Sequence, residues 1–98
     1  PLSTGANAAP LALGLTRVHP NPSSGPLTVT FTLPSSAPAT LELLDLAGRA
    51  VLRRDIGGLG PGSHSLELGR QERLPAGIYF ATISQAGNRQ YRRVSIVR

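Results

Sequence analysis

The chain has 98 residues, a net charge of +5 and no cysteine, so it is a single small domain with no disulfide, iron–sulfur cluster or cysteine-held zinc. A chain this short buries roughly 60–65% of the surface it exposes when unfolded, enough for one thin core but not for a deep pocket. All ten basic side chains are Arg, against five acids, and no apolar run approaches the ~18 residues of a membrane-crossing helix.

Residues 1–10, PLSTGANAAP, are small, polar and bounded by Pro, which predicts a linker ahead of a domain spanning 11–98. The first strand is predicted over Leu11–Val18, followed by the turn Pro20–Pro26. Leu27, Val29, Phe31 and Leu33 then alternate with Thr28, Thr30 and Thr32, a half-buried strand whose Thr face should see water. Ala39–Leu46 predicts a third strand, with Leu41 and Leu43 on one face and Leu44 and Leu46 on the other, so that both faces would be covered. Gly48 suits a tight turn into a fourth strand, Ala50–Ile56. A helix over Leu41–Leu52 is the competing reading; Gly48 at its centre and β-rich neighbours argue against it. Gly57–Gly62 is a Gly-rich loop, and a fifth strand carries His64, Leu66 and Leu68 on one face. Ile78–Ser84 and Arg89–Val97 complete the set. Seven short strands around one core predict an all-β fold, a seven-stranded immunoglobulin-like antiparallel β-sandwich.

The chemistry of an enzyme is missing from this pattern. No G-x-S-x-G elbow surrounds any Ser, and structural roles are expected for His19 and His64. The loop at Gly57–Gly62 lacks the Lys and the following helix of a phosphate-binding loop and reads as a plain flexible turn. The acids Glu42, Asp45, Asp55, Glu67 and Glu72 are scattered, unlike a calcium loop. Arg89, Arg92, Arg93 and Arg98 gather late in the chain, but Arg92 and Arg93 alternate across a strand. With four aromatics, most expected in the core, the nucleic-acid signatures are absent.

Four segments in order carry a resemblance. Pro20-Asn21-Pro22 follows the first strand; Leu44-Asp45-Leu46-Ala47-Gly48-Arg49 forms an acid–Gly–basic turn; Leu74-Pro75-Ala76-Gly77-Ile78-Tyr79-Phe80 opens the sixth strand; and Arg92-Arg93-Val94-Ser95-Ile96-Val97-Arg98 is a basic and hydrophobic last strand. Together they resemble the C-terminal sorting domains of the bacterial type IX secretion system; the related immunoglobulin-like repeat of flagellar hook-capping proteins has similar patterns. Ser23 and Leu44 depart from the family, which often has an aromatic after the first motif and Tyr before the Asp. Each motif also has a local physical reading. The prolines fix φ and remove two donors, Asn21 can bond nearby backbone, Gly48 and Gly77 permit turns, and Tyr79 brings a core ring with a hydroxyl in need of a partner.

The resemblance implies a non-catalytic address label with no cofactor. An N-terminally attached cargo crosses the periplasm, and the outer-membrane type IX translocon recognises the folded domain. A surface sortase-like peptidase then acts before Leu11, leaving the cargo at the cell surface or outside the cell. Neither nucleic-acid binding nor stable membrane insertion is implied. The recognised element is expected at Arg92, Arg93, Val94, Ile96, Val97 and Arg98, as an edge strand with unpaired backbone groups. The competing readings are an immunoglobulin-like spacer and a carbohydrate-binding accessory module of a secreted enzyme.

Overall fold

The computed structural model describes residues 12–70 and 73–97; the predicted linker, Leu11, Glu72 and Arg98 lie outside them. The described residues form seven strands, β1 (Gly14–His19), β2 (Leu27–Leu33), β3 (Ala39–Leu44), β4 (Ala50–Asp55), β5 (Gly62–Leu68), β6 (Gly77–Gln85) and β7 (Asn88–Ile96). They assemble into two antiparallel sheets, one ordered β1-β2-β5 and the other β4-β3-β6-β7. The helix weighed over Leu41–Leu52 is instead the β3–β4 hairpin.

The period-2 pattern explains why these segments are strands. In β2 every second side chain, from Leu27 to Leu33, is buried while the Thr between them is half-buried. The inner faces of both sheets meet in one core built on Phe31, Leu27, Leu33, Leu41, Leu43, Ile83 and Ile96. Burying such side chains contributes about 1.5–3 kcal/mol each. On the outer face of the three-stranded sheet the hydroxyls answer one another across strands. The Thr30 and Ser65 hydroxyls lie 3.0 Å apart, and those of Thr32 and Ser63 3.4 Å.

Three expectations are corrected. β3 ends at Leu44, and Leu46 is 71% exposed, so the strand is not covered on both faces; Asp45 turns the chain away first. The loop after β4 is a 3-10 turn over Gly57–Leu59, with Leu59 N–H donating to the Ile56 carbonyl at 3.0 Å. It packs so closely on the 37–39 segment that a Cβ on Gly57 would meet the Ala37 carbonyl at 2.6 Å. The aromatics also divide differently. Phe31 and Tyr79 are buried, whereas Phe80 is half-buried on the outer face and Tyr91 is 67% exposed.

Candidate functional site

β7 forms one edge of the four-stranded sheet, and the turn after β1 lies along it. The Asn21 side-chain amide donates to the Arg93 carbonyl at 3.2 Å, and its Oδ1 accepts from Ser95 N–H at 3.1 Å. Ser23 continues the pairing through its backbone. Its N–H donates to the Ser95 carbonyl at 2.9 Å, and Val97 N–H donates to the Ser23 carbonyl at 2.7 Å. Ser23 is itself buried, and its hydroxyl donates to the Pro26 carbonyl at 2.6 Å and accepts from Gly25 N–H at 3.0 Å. The peptide bonds before Pro20 and Pro22 are cis. From the Arg93 carbonyl to the Val97 amide, therefore, the β7 edge is filled by the chain's own Asn21–Ser23 segment. This corrects the expectation of an open edge there. It also corrects the expected partner of Asn21, whose bonds reach backbone more than 70 residues away.

The earlier half of β7 reaches the other sheet with side chains. Arg92 Nε donates to the Leu15 carbonyl at 2.7 Å, and Gln90 Oε1 accepts from Leu15 N–H at 3.0 Å. These residues point inward, as do Val94 and Ile96, which are 0% and 2% exposed. Arg93 lies on the opposite, outer face, and Val97 is half-exposed.

The other motifs gather at the same end of this sheet, where β3 and β7 finish and β6 begins. Gly77 pairs with Ile96, Tyr79 with Val94, and Leu44 with Phe80. The Tyr79 hydroxyl donates to the Pro75 carbonyl, which pins the approach to β6. In the β3–β4 turn, Asp45 Oδ1 accepts from the Ala47 and Arg49 amides at 2.9 Å each, and Arg49 Nε donates to Oδ2 at 3.0 Å. Gly48 closes the turn at φ 83°, a conformation that costs a residue with a Cβ. The Arg49 backbone amide, more than any other group, holds the Asp45 carboxyl below its ordinary value; the Arg49 guanidinium and the Ala47 amide add to this.

The outer face beside these motifs is apolar and basic. The Phe80 and Tyr91 rings meet edge-on, 5.9 Å between centroids. With Leu44 and Leu46 they border an open groove of about 400 Å³, at whose rim stands Arg89. Sequence reasoning missed this face and the parts played by Ser23 and Gln90. The alternation of Tyr79 with Phe80 was its available signal, since one of the two had to face outward.

His64 Nε2 lies 2.8 Å from the Gly60 carbonyl, and its ring packs on Phe31. Among the described residues no three His, Asp or Glu side chains are grouped to hold a metal ion. None of the curated proteins matches the chain. The family model of the secretion system C-terminal sorting domain matches residues 17–97, a span that takes in the first three motifs, the fourth up to Val97, and all seven strands except the first residues of β1. The chain thus belongs to the secretion system C-terminal sorting domains, the non-catalytic signals that send an attached cargo protein through the type IX secretion system to the cell surface or medium.

Proposed function

We propose that the folded sandwich, rather than an extended tail, is the address label, and that the outer-membrane translocon reads it at β7. Arg93, Val97 and Arg98 would present the label. Arg92, Val94 and Ile96 hold the strand in place from its inner side, and Pro20, Asn21 and Pro22 hold its edge. One observation carries this reading. Asn21–Ser23 on one edge of β7 and Gly77–Tyr79 on the other make the last strand the middle of a three-part unit. Asp45 and Gly48 shape the turn next to it.

The cargo would pass through the periplasm, and a surface sortase-like peptidase would act ahead of the sandwich. An immunoglobulin-like topology is supported by the sheet orders β1-β2-β5 and β4-β3-β6-β7, which correspond to strands A-B-E and C′-C-F-G. The bond from Tyr79 back to Pro75 is the counterpart of the tyrosine corner of that fold.

The test fuses residues 1–98 behind a reporter in a bacterium with a working type IX system. The intact fusion is expected in the medium, and an Asn21→Ala, Ser23→Pro fusion in the periplasm. Retention of the intact fusion, or equal export of both, overturns the reading.

A further inference from the structure

We propose that the outer face of the four-stranded sheet docks an extended, acidic segment of a partner protein, with an apolar side chain seated in the groove between Leu44 and Tyr91. The proposal rests on the reading that β7 is the recognised strand, and it names the chemistry of what recognises it. The apolar side chains sit where solvent-facing positions are normally polar. Leu46 and Tyr91 are 71% and 67% exposed, and Leu44 and Phe80 are half-buried beside them. Exposed apolar side chains gathered on one face mark interaction sites, and Tyr and Arg are over-represented where binding energy concentrates.

The charges decide the partner. Arg89, Tyr91 and Arg93 occupy alternate positions of β7, so they share a face, with an Arg backbone position about 7 Å along the strand on either side of that of Tyr91. Other Arg side chains nearby are spent within the chain: Arg49 pairs with Asp45 at 3.0 Å and Arg53 with Glu42 at 4.0 Å. Neither the Arg89 nor the Arg93 guanidinium has an ion pair among the described residues. One unpaired guanidinium group lining the apolar groove, Arg89, and a second on the same face, Arg93, complement two carboxylates flanking an apolar side chain, each able to bind bidentately.

Other occupants fit less well. The aliphatic Leu44 and Leu46 among the lining offer a phosphate backbone nothing to pair with, whereas they suit the apolar side chain of a peptide. A sugar would need acceptors as well as the Arg donors, but Asp45 is committed to its own turn and Thr82 is buried. Strand addition to this edge is blocked from Arg93 to Val97, which leaves the face.

The test titrates the purified chain, followed by amide NMR shifts, with a synthetic nonapeptide carrying Asp, Phe and Asp at alternate positions among Ser. Shifts are expected at Leu44–Gly48, Phe80–Thr82 and Arg89–Arg93. Affinity should fall about tenfold or more in Tyr91→Ser, in the double variant Arg89→Ser, Arg93→Ser, and when Asn replaces both Asp of the peptide. Every substituted residue is at the surface, and unchanged thermal unfolding of the variants excludes misfolding as the cause. Three results overturn the proposal: equal binding of the Asn peptide, tighter binding of an oligonucleotide or oligosaccharide on this face, or a self-association that Tyr91→Ser abolishes. The reporter fusion separates the two levels. Peptide binding by the intact chain together with normal export of the double-Arg variant upholds the docking surface and removes β7 as the sorting element. Failed export of that variant without peptide binding by the intact chain keeps β7 and overturns the acidic partner.

Discussion

The two sheets share a core but present opposite outer faces. On the three-stranded sheet the solvent side of β2 and β5 is Thr and Ser with Glu67 opposite Thr28, and the hydroxyls of Thr30 and Ser65 and of Thr32 and Ser63 pair across the strands. On the four-stranded sheet the equivalent positions hold Leu44, Phe80, Tyr91 and Arg93. Strand formation does not explain the difference, because β2 in one sheet and β3 in the other alternate equally well. Thr and Ser satisfy a β-strand and its water without inviting a partner, whereas aromatic rings left in solvent together with unpaired guanidinium groups leave interactions unmade. The edges differ in parallel. The β7 edge is filled by Asn21 and Ser23, while on the β4 edge Arg54 covers the Arg53 carbonyl at 2.9 Å with its own side chain, a common way of blunting an exposed strand.

Substitutions can erase or sharpen this contrast. The largest effect is expected from Phe31→Ala. Its ring is fully buried between the sheets, so both faces should be lost together, at a cost of about 3–5 kcal/mol in urea unfolding. Asn21→Ala should act on one side only. It should lower stability by about 1 kcal/mol and speed hydrogen exchange at the Ser95 and Val97 amides, leaving the β2–β5 amides protected. Surface exchanges should separate stability from binding. Tyr91→Ser and Thr30→Val should each stay within about 0.5 kcal/mol of the parent, yet only Tyr91→Ser should weaken peptide binding to the outer face, by about tenfold or more.

The smallest effect concerns acid. Asp45 and Glu67 each sit below their ordinary values, Asp45 chiefly through the Arg49 amide and Glu67 through the Arg70 side chain. A carboxyl lowered by folding stabilises above its unfolded value, about pH 4. That stabilisation is lost as pH falls through the lowered folded value. Asp45→Asn and Glu67→Gln should therefore each flatten the fall of Tm below about pH 4, and Tm read across that range checks it.

Much of the fold was legible in the residues. The alternation of β2 located Leu27–Leu33 to the residue, because one face of it is wholly apolar and hydrophobic burial is its dominant signal. The Asp45-to-Arg49 turn was likewise visible, since every bond in it is made within five residues. The end of β3 was misjudged because Leu44 and Leu46 keep alternating, while the bonds that turn the chain come from Asp45 between them.

Local pattern by itself determined that the chain alternates, where it turns and which residues share a face, for these depend on neighbours in sequence. It could not decide which face of β6 and β7 is the inner one, nor what covers an edge. Those depend on a second sheet packing over Val94 and Ile96, and on Asn21 and Ser23 meeting β7 from more than 70 residues away. Only the closed sandwich brings those groups together, and in doing so it leaves Tyr91 and Arg93 facing out.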